Sequence, residues 1–151
     1  MTYIEYKQQR QNEFNALPVF YAFSDEQFDR ALEDRHLTRE QAKTALCRFW
    51  GGGFYLRSDR DQIFNWIKSD RLSELMKDPK FAEDAFLYEM NNHEYAINWE
   101  GDWDVCNCFG NCKYSEDKSY IDYLNELGFD DAIISAYGRA RVKHMKIAER
   151  W

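Results

Sequence analysis

Residues able to carry out chemistry are concentrated between Pro79 and Cys112, in the sequence PKFAEDAFLYEMNNHEYAINWEGDWDVCNCFGNC. Glu89 lies four residues before His93, a spacing that places both side chains on one face of a helix. An imidazole beside a carboxylate can act as a general base or bind a metal ion. A single histidine on an apolar helix face is more often a hydrogen-bonded core residue. The sequence therefore predicts no catalytic residue here.

Three of the four cysteines, Cys106, Cys108 and Cys112, follow with one and three residues between them. Zinc ligands usually pair with about two to four intervening residues and need a complete set of ligands. His93 or Cys47 would complete such a set only through the tertiary fold. Because free cysteines pack readily as small apolar side chains, the sequence predicts neither a metal site nor a cofactor. The acidic surroundings also disfavour a cysteine nucleophile.

Residues 99–104, with the sequence WEGDWD, combine two tryptophans with carboxylates at alternate positions. The carboxylates match part of a calcium-binding loop, but the remaining ligands are missing from the sequence. Aromatic side chains surrounded by charge are typical of protein–protein contact surfaces. The sequence therefore predicts an exposed turn that binds a partner protein, through Glu94, Trp99, Glu100, Asp102, Trp103 and Asp104.

The charge of the chain is unevenly distributed. Its 27 acidic and 20 basic side chains give a net charge of −7. Residues 78–131 alone hold 14 acidic and three basic side chains, a charge of −11, whereas residues 132–151 carry +4. An acidic surface disfavours direct binding of nucleic acid and suits a basic protein partner. The alternative is a solvated acidic surface that only maintains solubility.

Length and composition predict one compact domain over residues 1–151, since 44% of the side chains are apolar and 17% are aromatic. No apolar run approaches the roughly 18 residues of a membrane span. The charged N-terminal segment lacks the apolar region of a secretory signal, which predicts a cytoplasmic protein.

Local patterns predict a helix-dominated α+β domain with a small antiparallel sheet. The expected strands cover residues 19–23, 49–56 and 96–99. Three glycines at 51–53 lack the spacing of a phosphate-binding loop, so a hairpin turn or bulge is favoured. Helices are expected after cap signals at Ser24, Thr38, Ser58 and Asp78. A last helix is expected to continue to Trp151.

Three segments resemble a known group of proteins. They are ALPVFYAFSDEQF at residues 16–28, GGGF at 51–54 and DAFLYEMNNHEY at 84–95. Together they resemble a family of small uncharacterised proteins carried by phages and mobile elements, a domain of unknown function. The resemblance implies a genomic habitat and assigns no role to any residue. Because small acidic phage proteins often inhibit host defence, it also favours such a role.

These observations lead to one favoured function and two alternatives. The favoured function is a phage inhibitor, acting in the host cytoplasm, that binds a basic host defence protein through its acidic surface. Its target would handle nucleic acid, as in anti-CRISPR or anti-restriction proteins, and the inhibitor itself would bind neither nucleic acid nor membranes. The first alternative is a metal-dependent, hydrolase-like enzyme centred on Glu89 and His93. The second is a phage accessory domain without a defence role.

Overall fold

A computed structural model describes residues 1–149. The chain is mostly helical, with a small sheet, which confirms the predicted helix-dominated α+β class. The helices are α1 (Tyr3–Asn15), α2 (Asp25–Asp34), α3 (Arg39–Ala45), α4 (Arg60–Lys68), α5 (Leu72–Leu75), α6 (Pro79–Asn92), α7 (Gly101–Asn107), α8 (Tyr120–Glu126) and α9 (Asp131–Ala148). Short 3₁₀ turns lie at Trp50–Gly52, Arg57–Asp59 and Tyr95–Ile97. No helix among residues 1–149 has the length and apolar character needed to cross a membrane.

The sheet has three antiparallel strands in the order β1–β3–β2, where β1 is Val19–Tyr21, β2 is Leu46–Phe49 and β3 is Gly53–Leu56. Strands β2 and β3 form the predicted hairpin around the glycines. Gly51 and Gly52 have φ angles of 72° and 84°, a left-handed backbone that glycine adopts without steric cost. The turn therefore explains the glycines without a bound phosphate.

The prediction of a strand at residues 96–99 is wrong. The chain forms the 3₁₀ turn at Tyr95–Ile97 instead. The backbone N–H of Ala96, which a strand would use for pairing, donates to Nε2 of His144 at 3.1 Å. A side chain from α9 thus takes the place of a neighbouring strand.

The chain divides into two compact units, Met1–Gln9 with Arg71–Trp151, and Arg10–Asp70. The prediction of one domain over residues 1–151 stays a prediction. The unit of Arg10–Asp70 holds the sheet, and its most buried side chains are Leu32, Tyr55 and Ile63.

The other unit is built on α6 and α9. Asp78 caps α6 and Pro79 occupies its first turn, as predicted, because proline needs no hydrogen-bond acceptor there. The residues that both helices bury completely include small alanines, which allow two helix backbones to approach closely. They are Ala82, Ala85, Phe86, Met90, Ala136, Tyr137 and Ala140.

Three of the expected helix starts are confirmed and one is wrong. The side chains of Ser24, Thr38 and Asp78 each accept a hydrogen bond from the backbone of the following helix. Ser58 does not cap a helix, because a 3₁₀ turn occupies Arg57–Asp59 and α4 starts only at Arg60. The last helix is confirmed to Ala148, where it ends with Glu149 as its C-cap residue, and residues 150–151 of its expected range lie outside the described residues.

Candidate functional site

Helix α6 carries a buried carboxylate near its C-terminal end. Glu89 is only 2% exposed, and it lies on the buried face of α6 with Phe86 and Met90. His93 follows one turn later as the C-cap residue of α6, with its side chain 32% exposed. The predicted proximity of Glu89 and His93 is confirmed, but the carboxylate is the buried member and the imidazole faces partly to solvent.

The two oxygens of Glu89 have different surroundings. Oε1 accepts a hydrogen bond from the Tyr3 hydroxyl at 2.7 Å and from Nζ of Lys7 at 2.9 Å. Oε2 lies 3.4 Å from Nε2 of His93 and 3.6 Å from Sγ of Cys108, and it accepts a 3.5 Å hydrogen bond from Nδ2 of Asn92. One oxygen is thus fixed by α1, and the other faces two potential metal ligands.

Cys108 completes this group from the C-terminal end of α7. Its Sγ lies 3.5 Å from Nε2 of His93 and donates to the backbone oxygen of Asp104 at 3.2 Å. One donor atom from each of Glu89, His93 and Cys108 therefore lies within 4.8 Å of the other two. We call these three residues the Glu–His–Cys cluster.

The cluster does not have the geometry of a catalytic relay. In such a relay, the histidine contacts the nucleophile through one ring nitrogen and its orienting carboxylate through the other. Here both Glu89 and Cys108 approach the same nitrogen, Nε2 of His93. The three donor atoms instead lie within 4.8 Å of one another, which is close enough to bind one metal ion.

The charge states of the cluster follow from its contacts. Burial alone would raise the pKa of Glu89, but hydrogen bonds from Lys7 and Tyr3 outweigh it and lower this pKa. Burial and the neighbouring Glu89 carboxylate raise the pKa of Cys108 to about 12. Without a metal ion, the cluster therefore pairs an ionised carboxylate with a neutral thiol, which is a weak nucleophile.

The structure separates the cysteines that the sequence had grouped. All four cysteines are free thiols. Cys106 and Cys112 are buried in the core, where burial raises the pKa of both thiols. Of the cysteines, only Cys108 lies in the cluster around His93.

Sequence reasoning missed the two residues of α1 that hold Glu89. The first helix has a polar sequence. Tyr3 is nevertheless 4% exposed, and Lys7 lies one turn later on the same face. The spacing of Tyr3 and Lys7 shows that they share a face, but nothing local indicates that a carboxylate more than 80 residues away is their partner.

A second candidate site lies at the start of α7. Residues 99–104 were expected to form an exposed turn, and this is wrong beyond Glu100, because α7 begins at Gly101. Gly101, Val105 and Cys106 form a buried face that holds the helix to the core. Asp102 and Trp103, which lie between Gly101 and Val105, line an open cleft of about 520 Å³.

Four of the six predicted partner-binding residues line this cleft, which we call the acidic cleft. They are Trp99, Glu100, Asp102 and Trp103, and they are joined by Tyr114 and Glu116. The Trp99 side chain is fully exposed to solvent. That these residues bind a partner stays a prediction.

The other two predicted residues do not line the cleft. Glu94 is exposed and has a left-handed backbone with φ of 51° after the end of α6. Asp104 is half-buried, and its Oδ2 accepts a hydrogen bond from Nδ2 of Asn98 at 2.7 Å.

Asp102 joins the cleft to the core. Its Oδ1 accepts hydrogen bonds from the hydroxyls of Tyr95 at 2.5 Å and Tyr137 at 2.9 Å. Burial and the Asp102 carboxylate raise the pKa of Tyr95 and of Tyr137, so both phenols stay neutral donors. These bonds hold the carboxylate in place without neutralising its charge.

Two cations also line the cleft. Lys118 forms an ion pair with Glu126 at 2.8 Å, and Arg141 lies near Tyr95. Three carboxylates line the cleft against these two cations, and Glu126 offsets one of them. The cleft therefore has a net negative charge.

Comparison with known proteins identifies a family for this chain. The family of unknown function DUF7659 matches residues 2–118. The chain belongs to this family. The part that matches DUF7659 includes Tyr3, Lys7 and all three residues of the Glu–His–Cys cluster, and it ends before α8. No curated protein and no solved structure matches the chain.

Proposed function

We propose that this DUF7659 protein is a recognition protein whose acidic cleft binds a basic segment of a partner protein. The observation that carries the proposal is the fully exposed indole of Trp99 at a cleft that also contains the carboxylates of Glu100 and Glu116. Tryptophan is strongly enriched among the side chains that dominate binding energies at protein interfaces. A large apolar ring held in water beside carboxylates suits a partner that brings both apolar surface and positive charge.

The chemistry of the cleft favours lysine and arginine side chains as the bound groups. Aromatic rings attract cations through their faces, and Trp99, Trp103 and Tyr114 line the cleft together. Carboxylates add a longer-range attraction that speeds encounter with a basic partner. Arginine and lysine in an extended segment can satisfy both requirements at once.

The wider charge distribution supports the same partner. Residues 78–131 carry −11, and within residues 1–149 only three of their fourteen carboxylates form ion pairs with lysine or arginine: Glu83, Glu89 and Glu126. Others, such as Asp102 and Asp104, accept hydrogen bonds from neutral groups, which leaves their negative charge uncompensated. An oppositely charged partner therefore experiences a strong attraction at low ionic strength.

The biological setting is part of the proposal. The resemblance to proteins of phages and mobile elements favours an inhibitor that acts in the host cytoplasm. Its target would be a basic host defence protein that handles nucleic acid, as in anti-CRISPR or anti-restriction inhibition. In such a complex, carboxylates of the inhibitor occupy positions on the target that nucleic-acid phosphates otherwise fill.

A binding experiment tests the recognition step. A peptide rich in lysine and arginine is titrated into the full chain by calorimetry at about 50 mM and about 300 mM salt. We expect roughly tenfold weaker binding at the higher salt, and a similar loss in Trp99→Ala or Glu100→Lys. Glu33→Lys, an exposed charge reversal on α2, serves as the matched control and should reduce affinity much less. Affinity that ignores both salt and Trp99 would overturn the proposal.

A cellular experiment separates recognition from defence inhibition. The wild-type chain, Trp99→Ala and Glu33→Lys are expressed in bacteria whose restriction or CRISPR system blocks a test phage. We expect the wild type and Glu33→Lys to restore plaque formation and Trp99→Ala to fail. Peptide binding without any rescue would retain the recognition function and overturn the defence role.

A further inference from the structure

We propose that Glu89, His93 and Cys108 bind a zinc ion, through Oε2, Nε2 and Sγ respectively. This site is independent of the acidic cleft and of any partner protein. It lies at the junction of α6 and α7, and both helices belong to the same compact unit. The proposal is based on four features: the distances between the donor atoms, their chemical types, the groups that orient them and their access to solvent.

The donor–donor distances match those of a tetrahedral zinc site. Zinc bonds of about 2.05 Å to nitrogen, 2.1 Å to oxygen and 2.3 Å to sulfur place nitrogen and oxygen about 3.4 Å apart. The same bonds place sulfur about 3.6 Å from either atom. The observed separations are 3.4 Å for His93 and Glu89, 3.5 Å for His93 and Cys108, and 3.6 Å for Glu89 and Cys108.

A direct hydrogen bond explains the separation of His93 and Glu89 less well. Hydrogen bonds between nitrogen and oxygen are usually about 2.7–3.2 Å long, and a charge-assisted bond to a carboxylate is shorter still. The 3.4 Å separation between Nε2 of His93 and Oε2 of Glu89 exceeds this range. The hydrogen bonds that Glu89 accepts from Tyr3 and Lys7, at 2.7 and 2.9 Å, lie within it. The thiol of Cys108 contacts both side chains, so the three donor atoms form one close group.

The donor types select the metal. Thiolate and imidazole ligands suit zinc and other late transition ions, whereas magnesium and calcium prefer sites made only of oxygen. On binding, the thiol of Cys108 releases its proton to solvent and a zinc–sulfur bond forms. The two charges of the ion then face the Cys108 thiolate and the Glu89 carboxylate, which is also paired with Lys7.

Neighbouring groups hold the carboxylate in the required orientation. Protein ligands of metal ions are commonly oriented by hydrogen bonds on the atom that does not touch the metal. Tyr3 and Lys7 fill this role, because both contact Oε1 of Glu89 and leave Oε2 facing His93 and Cys108. The hydrogen bond from Tyr3 is buried, so the orientation of Glu89 is protected from competition by water.

Solvent access gives the ion a route of entry. The side chain of His93 is 32% exposed and Cys108 is half-buried, although Glu89 is almost completely covered. Three protein ligands leave a fourth tetrahedral position, which in catalytic zinc sites holds water. A zinc-bound water is the group that the hydrolase-like alternative requires, and hydrolysis by this protein stays a prediction.

Metal titration of the full chain tests the proposal. Protein dialysed against a chelator is titrated with zinc, and separately with cobalt to reveal the absorption of a cobalt–thiolate bond. We expect one ion per chain, and at least a hundredfold loss of affinity in both Cys108→Ser and His93→Gln. Cys47→Ser and His36→Gln, which remove the same side-chain types elsewhere, should leave affinity unchanged.

A positioning variant distinguishes a built site from accidental binding. Tyr3→Phe removes only the hydroxyl that orients Glu89, and we expect a ten- to hundredfold loss of zinc affinity. Circular dichroism confirms that each variant is folded before titration. The proposal is overturned if the folded wild-type chain binds no zinc, or if zinc and the cobalt–thiolate absorption persist in Cys108→Ser.

Discussion

The hydroxyl of Tyr3 donates a 2.7 Å hydrogen bond to Oε1 of Glu89, across a sequence separation of 86 residues. Both groups are buried, so neither can exchange this bond for one with bulk water. The aromatic ring of Tyr3 also contacts Phe81 and Tyr88 edge-on, which fixes the hydroxyl in position. The first turn of α1 is therefore part of the core that surrounds α6.

Tyr3→Phe should lower the free energy of unfolding by about 1–2 kcal/mol, because the ring packing is kept while the buried carboxylate loses one donor. Urea unfolding monitored by circular dichroism measures the change. Tyr114→Phe removes a hydroxyl from an exposed ring and should change stability by less than about 0.5 kcal/mol. Equal effects of the two substitutions would contradict the structural role of the Tyr3 bond.

Asp102→Ala should destabilise the protein by about 3 kcal/mol, because it leaves the hydroxyls of Tyr95 and Tyr137 without their shared acceptor. Asp102→Asn should cost much less, since its amide oxygen can accept from both phenols. The same unfolding experiment compares the two variants, with Asp117→Ala on the exposed surface as control. A loss in Asp102→Asn as large as that in Asp102→Ala would show that the charge, rather than the acceptor, matters.

Stability should fall at mildly acidic pH because of His144. Burial lowers the pKa of His144, and its Nε2 accepts from the Ala96 N–H while its Nδ1–H donates to Oδ1 of Asn91. The folded state therefore needs neutral imidazole, whereas the unfolded chain protonates it near pH 6.5. Below about pH 6.5 the unfolded state binds more protons, so the stability that neutral His144 provides is lost as pH falls toward its folded pKa.

The measurement compares urea unfolding of the wild type and His144→Gln between pH 7.5 and 5.5. Glutamine can still donate and accept, but it does not titrate. Contributions from other groups are shared by both proteins, so the wild type should lose more stability than the variant over this interval. Parallel losses would rule out His144 as the source.

Two glycine substitutions should have opposite effects. A methyl group at Gly101 would lie 2.8 Å from Cδ2 of Tyr95, so Gly101→Ala should displace this ring and cost about 1–3 kcal/mol. A methyl group at Gly138, within α9, would meet nothing closer than 3.8 Å. Gly138→Ala should therefore stabilise the helix by about 0.5–1 kcal/mol. Thermal unfolding of the two variants tests both signs.

Local features of this fold were predictable because their causes are local. The Asp78–Pro79 pair starts α6, Thr38 with Gln41 caps α3, and Gly51 and Gly52 form a hairpin turn. Each depends on backbone hydrogen bonds or allowed φ angles within a few residues.

The candidate sites were less predictable because their causes are tertiary. Three cysteines close together in sequence suggested one group, yet the start of α7 at Gly101 turns Cys106 into the core and Cys108 toward His93. The alternating carboxylates of WEGDWD indicated a turn and obscured the buried helical face of Gly101, Val105 and Cys106. No sequence pattern reveals that Tyr3 contacts Glu89, since that contact depends on how distant helices pack.

The joining of residues 1–9 with residues 71–149 in one compact unit has a consequence for the nascent chain. Tyr3 and Lys7 leave the ribosome first, and Glu89 follows more than 80 residues later. At ordinary rates of translation, this interval lasts on the order of ten seconds. Throughout that time, Tyr3 and Lys7 lack the Glu89 carboxylate that they contact in the folded protein. The intervening residues 10–70 are already free to fold.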